Sequence, residues 1–199
     1  MPRWSDIREL ARLGEEVGFD SLWVCDHLIN HWPDGSSRGA WECWSDLAAL
    51  AAVTERGELG TLVVCTAFRE PSLLAKMADT IEEISGGRLI LGIGAGWNEA
   101  EFRAFGYSFA HRVSRFEEAL TIISGLLRDG HCDFQGEYYQ VRDCELRPRG
   151  PRPEGPPILI GSNAPRMLGL LVRHGDAWNT WYLQTGNLAD GNGLRPGRR

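Results

Sequence analysis

The sequence predicts an α/β fold built from repeated strand–helix units around a parallel sheet. Three observations carry that prediction. Stretches with apolar residues at helical spacing alternate with short, continuous apolar runs. The runs lack the in–out alternation of a half-exposed strand, so they read as strands buried on both faces, as parallel strands are. A helix, a glycine and a strand follow one another at 16–21, 55–57, 83–88 and 173–176, where the glycine is expected to end the helix in the left-handed conformation. Repeated units of this kind leave two architectures, the doubly wound sheet and the (β/α)₈ barrel.

In chain order, Ile7, Leu10, Leu13 and Val17 place a helix over 5–17, with Ser5 at its start and Gly18 at its end. Leu22, Trp23 and Val24 centre a strand over 21–25, and a second helix spans 41–54. The run Leu62-Val63-Val64 centres a strand over 61–65. Pro71 suits the first turn of a third helix, which stops at Ser85-Gly86-Gly87. Leu89 to Ile93 is another apolar strand, over 88–94. Val113, Phe116, Leu120, Ile123 and Leu127 mark a fourth helix, stopped by Gly130. A β-hairpin turning near Gly136 fills 131–146. Five of the ten prolines fall in 147–157, which excludes regular structure there. A strand over 158–160, a helix over 166–173 and a strand over 177–179 follow. Four glycines and no apolar period make 184–199 a predicted disordered tail, leaving one domain over 1–183.

Composition narrows function by exclusion. The 199 residues carry a formal charge of −6, so a nucleic-acid surface is not expected. Twenty of the 21 basic residues are Arg and only Lys76 is Lys, which reads as coding bias. No apolar run reaches the length of a membrane span and no secretory leader is visible, so no membrane partner is expected. Cys25, Cys43, Cys65, Cys132 and Cys144 form no zinc framework, and no metal is expected. Their odd number points to reduced thiols in a cytoplasmic setting. Cys132 and Cys144 flank the hairpin as cross-strand neighbours, without a structural disulfide being the expectation.

The only glycine-rich turn, Gly92-Ile93-Gly94-Ala95-Gly96, lacks the GxGxxG spacing and the acidic strand end of a nicotinamide fold. Trp32, Trp41 and Trp44 follow the first strand, Trp97 the third and Trp181 the last. In a barrel these points share the C-terminal face, where an aromatic mouth suits a large flat ligand. Tryptophans filling the space between layers explain the same positions equally well.

Three segments, 18–27, 59–63 and above all 85–99 (SGGRLILGIGAGWNE), resemble the luciferase-like monooxygenase family, and most the branch that uses the deazaflavin coenzyme F420. The similarity runs from about 8 to 181. It implies a (β/α)₈ barrel of the TIM-barrel type, incomplete here. About five of eight strands are visible, and the hairpin at 131–146 is an insertion. Family members begin one strand earlier and continue for two more strand–helix units, so the chain is expected to be truncated at both ends. A TIM barrel typically needs about 250 residues. The resemblance implies reduced coenzyme F420, preferred over flavin mononucleotide (FMN), held in the barrel mouth. The implied chemistry is hydride transfer or oxygenation of a small organic substrate. The alternatives are a non-catalytic truncated remnant or a flavin-binding protein without turnover. A small-molecule substrate is the expected partner, with a homo-oligomer left open.

The same resemblance assigns site residues. His27, with Asp26 beside it, becomes the catalytic pair at the first strand end, and the ordinary histidine pKa of about 6.5 suits proton handling. Cys65 and Thr66 end the second strand, where the family often carries a bulge with a non-prolyl cis peptide behind the cofactor ring. Asn98 is placed against the ring or its ribityl hydroxyls, and can also cap the helix that follows. Gly161, Ser162 and Asn163 join a strand to a short helix and are expected to hold the cofactor phosphate. Arg166, one turn into that helix, would add charge.

Overall fold

The computed structural model describes residues 2–32 and 34–180. The predicted tail 184–199, the domain boundary at 183 and Trp181 lie outside the described residues.

The elements run α1 (Trp4–Glu16), β1 (Ser21–Val24), β2 (Ile29–His31), β3 (Ser37–Gly39), α2 (Cys43–Val53), β4 (Glu58–Thr61) and β5 (Val64–Cys65). A 3₁₀ turn at Thr66–Phe68 leads into α3 (Pro71–Ser85), β6 (Leu89–Gly94), α4 (Glu99–Ala104) and α5 (Arg112–Asp129). The hairpin β7 (His131–Gln135) and β8 (Gln140–Glu145), then β9 (Ile158–Gly161), α6 (Pro165–His174) and β10 (Ala177–Asn179), complete the order.

The principal sheet is parallel, in the order β1-β4-β6-β9-β10, with β5 also on β6. This order decides between the two architectures. A doubly wound sheet reverses its strand order, which sends helices to both faces. Here each strand lies beside the previous one, and right-handed crossovers then put every helix on one side. The helices accordingly pack in sequence, α1 on α2, α2 on α3, α3 on α5 and α5 on α6. A singly wound sheet is the wall of a barrel, here with β1 and β10 as its two edges.

The core lies between the wall and the helices. Leu59, Leu89, Leu91, Ile93, Ile158 and Ile160 point from the strands into it, against Leu74, Ala78 and Ile81 of α3 and Phe116, Leu120, Ile123 and Leu127 of α5. All of these except Ile81 and Ile160 are fully buried, and burial of one such aliphatic chain is worth roughly 1.5–3 kcal/mol. Trp44 sits in this core on the first turn of α2 and not at the mouth. Trp32 and Trp41 are exposed.

The predicted strand over 61–65 is in fact two short strands with a break. Leu62-Val63 is a cis peptide, so the non-prolyl cis bond lies three residues before the expected Cys65-Thr66 position. Thr61 bridges the break with its side chain. Its Oγ1 accepts from the Gly92 N–H at 2.9 Å and donates to the Gly92 carbonyl at 2.7 Å. A Cβ on Gly92 would stand 1.9 Å from the Thr61 carbonyl oxygen, so only glycine lets the chains approach this closely.

The four helix–glycine–strand junctions divide into two kinds. Gly18 and Gly86 have φ of +93° and +67° and end their helices as expected. Gly175 has φ −99°, and Gly57 is absent from the positive-φ residues. Gly57 instead gives its N–H to the Glu15 carboxylate at 2.7 Å. Cys132 and Cys144 do face each other across the hairpin, as free thiols. The hairpin turn is held on α5 by Glu118, whose carboxylate accepts the N–H groups of Glu137, Tyr138 and Tyr139.

Candidate functional site

The carboxyl ends of β1, β5, β6, β9 and β10 meet around a cavity of about 520 Å³. Small-ligand sites fall in this size range. Among the residues marked by the sequence, Asp26, His27, Cys65, Gly161, Ser162 and Asn163 line it. Thr66 and Asn98 do not. Thr66 is buried beneath the floor, its hydroxyl directed to the Gly94 carbonyl at 3.4 Å. Asn98 precedes α4 but makes no side-chain cap; its Nδ2 donates to the Ile29 carbonyl at 3.4 Å, which ties α4 to β2.

The floor is apolar. Val63 stands over Gly94 and Gly161, and a Cβ on either glycine would come within 2.9 and 2.8 Å of its methyl groups. Cys65 continues the floor, and burial pushes its thiol up to about 12. It therefore stays protonated and is a packing group rather than a nucleophile.

Asp26 is 5% exposed and fully engaged. It takes a bidentate pair from Arg69 at 2.7 and 2.9 Å and accepts the Cys65 N–H at 2.9 Å. Arg69 also donates to Glu42 at 2.6 Å. Burial alone would raise the Glu42 carboxyl, but bonds from Ser45, Arg69 and the Trp44 N–H hold it at about 2. Asp26 thus anchors β5 to the end of β1, while its neighbour His27 faces the cavity.

The partner of His27 is one that the sequence does not mark. Glu101, 2% exposed on α4, sets Oε2 3.2 Å from His27 Nδ1. Its Oε1 accepts the N–H groups of Leu28 and, at 3.1 Å, Ile29. Trp97 meets the imidazole edge-on, ring centroids 5.7 Å apart. Phe102 of α4 packs between Phe68 and Phe109, with ring centroids 5.0 and 5.1 Å away.

A second unmarked residue supplies the positive charge. Arg112 lines the cavity, lies over Phe109 at 4.5 Å and gives Nε to the Gly96 carbonyl at 3.1 Å. Its Nη groups have no hydrogen-bond partner among the described residues. On the same cavity the turn Gly161–Ala164 leads into α6. Pro165 at its first position has no N–H, and the N–H groups of Ser162 and Ala164 are bonded to Asn179 and to the Ser162 hydroxyl. What the turn offers an anion is therefore the helix dipole and the N–H groups that follow Pro165. Arg166 does not join them. It points to α5, bonded to Glu117 at 2.7 Å and Ser114 at 3.2 Å.

The arrangement is therefore an apolar floor, a rim with one arginine and the start of a helix, and one imidazole held by a buried carboxylate. Comparison with known proteins places it. The family model for luciferase-like monooxygenases matches residues 1–190. An F420-dependent glucose-6-phosphate dehydrogenase of Amycolatopsis mediterranei is 33% identical over 179 residues, 87% of this chain and 52% of its own length. A 5,10-methylenetetrahydromethanopterin reductase of Archaeoglobus fulgidus is 33% identical over 174 residues, 87% of this chain and 48% of its own. The chain thus spans about half the length of these curated relatives. Among solved structures, an F420-dependent secondary alcohol dehydrogenase in complex with an F420-acetone adduct superposes with a TM-score of 0.77 at 26% identity, over 90% of this chain and 54% of that one. The F420-dependent tetrahydromethanopterin reductase of Methanopyrus kandleri shares the fold at 22% identity, with a TM-score of 0.72 over 90% of this chain and 52% of its own. By sequence, fold and strand-end site, the chain belongs to the luciferase-like monooxygenase family.

Proposed function

We propose that this chain carries the cofactor-binding wall and the proton-handling histidine of an F420-dependent oxidoreductase. When bound, the deazaflavin supplies a carbon that gives or takes a hydride. The residues present fit it. Val63 over Gly94 and Gly161 gives the cavity an apolar floor suited to a stacked ring. Arg112 and the first turn of α6 offer donors to an anionic tail on the same cavity. His27 at the end of β1 accepts the proton of a substrate hydroxyl as hydride leaves its carbon, and returns it in the reverse direction. Trp97 covers one edge of the imidazole.

The observation that carries this reading is His27, held by a buried carboxylate on the wall of an apolar-floored cavity that Arg112 also lines. The names of the relatives support deazaflavin over FMN, and hydride transfer over oxygenation. Their substrates include a sugar phosphate, a pterin and a secondary alcohol, so the reading is of a small organic substrate without narrower assignment. The free thiols support a reducing, cytoplasmic setting. Among the described residues no helix is long and apolar enough to cross a membrane.

Fluorescence titration of the chain with F420 and with FMN tests the proposal. Saturable F420 binding, tighter than that of FMN, is the expected result. Tighter FMN binding would overturn the choice of cofactor, and no binding of either would overturn the assigned site.

A further inference from the structure

We infer that Glu101 is a positioning residue that fixes which nitrogen of His27 carries the proton, so that Nε2 is the ring atom offered to substrate. Two backbone N–H groups and one imidazole nitrogen converge on this one carboxylate. Oε1 takes the backbone N–H groups of Leu28 and Ile29, and Oε2 takes the imidazole at Nδ1, 3.2 Å away. An ionised carboxylate accepts hydrogen bonds and donates none. Nδ1 must therefore carry its hydrogen whether the ring is neutral or charged. In the neutral ring the lone pair is then on Nε2, and the proton required at Nε2 is gained and lost while Nδ1 stays fixed. Two further features hold this geometry. The Glu101 side chain is only 3% exposed, so water does not compete for its oxygens. Trp97 stands at 75° to the imidazole plane and limits its rotation.

A plainer role, a staple between α4 and the end of β1, explains the bonds to Leu28 and Ile29 but not the one to His27. Glu101→Gln separates the two. Its carboxamide oxygen must stay with the two backbone donors, because the amide N–H₂ facing them would set donor against donor. The N–H₂ group then faces Nδ1, which has to become an acceptor. The substitution keeps the staple and inverts the tautomer.

The test is long-range ¹H–¹⁵N correlation of ¹⁵N-histidine-labelled protein, at a pH well above the ordinary histidine range. His27→Asn identifies the signal among the five histidines. The expected result is Nδ1–H for His27 in the native chain and Nε2–H in Glu101→Gln. Native His27 in the Nε2–H form would overturn the inference, even if the variant fails to fold. A tautomer unchanged by Glu101→Gln would overturn it as well. The consequence for turnover rests on the oxidoreductase reading: Glu101→Gln should lower kcat about 10²-fold with little change in KM. If the tautomer inverts but F420-linked turnover does not fall, the oxidoreductase reading of His27 fails and the positioning role stands.

Discussion

At the amino ends of the strands, Arg88 gives all five of its N–H groups to the protein, whereas at the carboxyl ends Arg112 gives one. Arg88 bonds the carbonyls of Ala51, Thr54, Gly57 and Ser85 and the Thr54 hydroxyl, at 2.7–3.1 Å. Beside it, Glu15 accepts the N–H groups of Glu55, Arg56 and Gly57. Glu82 on α3 is paired with Arg152 of the proline-rich segment. These charges close helix ends and loops onto the sheet and leave nothing for a ligand. At the other end, Asp26 and Arg69 are tied to each other, to Cys65 and to Glu42, but His27 and Arg112 face a cavity. Charge of the first kind is scaffold, and charge of the second kind is what the proposed function draws on, the division expected between the two faces of a barrel.

The comparison breaks most readily at its scaffold end. Arg88→Met strands four buried carbonyls, each costing about 1–3 kcal/mol when unsatisfied. The expected loss is at least about 4 kcal/mol of unfolding free energy in urea melts. F420 affinity of the molecules still folded should not move. A variant as stable as the parent, or one that loses affinity while folded, would erase the distinction between the ends.

His27→Ala tests the functional end. Turnover should fall about 10²-fold, equal to about 2.7 kcal/mol of barrel-mouth chemistry, with the melting temperature nearly unchanged. A large drop in melting temperature with intact turnover would make His27 scaffold like Arg88. Arg112→Leu should act on binding instead, weakening F420 about 10-fold, or about 1.4 kcal/mol. Titrations at rising salt sharpen this: the parent should lose affinity as salt screens Arg112, and the variant should lose less. Equal salt dependence would remove Arg112 from the anion rim.

The scaffold was more legible in the sequence than the site, and the reason is range. Helices such as α3 and α5 and strands such as β6 declare themselves through apolar spacing within a dozen residues. The break at Leu62-Val63 did not, because two apolar residues before Val64 have strand propensity wherever they sit. The hairpin β2–β3 went unseen because its strands are three residues each and largely polar. His27 was readable as a strand-end histidine. Glu101 was not, since its meaning is a bond to a residue 74 positions away. Asn98 looked like a cap or a cofactor ligand, yet its amide is spent on Ile29, 69 positions back. Arg112 gave only the signal of a basic residue at a helix start, where the dipole disfavours a cation. That mismatch is the local clue that could have marked it.

The smallest expected effect is on acid stability, and it separates the two ends by pH. Glu42 caps α2 at the mouth and braces Arg69, which in turn holds Asp26. Its carboxyl is held at about 2, below its ordinary value of 4.5. A lowered carboxylate pKa means that the folded state binds the proton more weakly than the unfolded chain does. The stabilisation is therefore present above about 4.5 and lost as pH falls toward about 2. Its size is limited, because the Glu42 side chain is 44% exposed and solvent screens the pair with Arg69. Glu42→Gln removes this ionisation while keeping an acceptor for the α2 N–H groups. The difference in melting temperature between parent and variant should be greatest near neutral pH and should narrow between pH 4.5 and pH 3. The carboxyl of Glu15 at the opposite end is also lowered, by the backbone N–H groups of Gly57, Arg56 and Glu55 against the cost of burial. Both proteins keep Glu15, so its acid response cancels in the difference. A gap that stays constant down to pH 3 would mean that Glu42 acts by shape alone, and the brace on Arg69 would not be electrostatic.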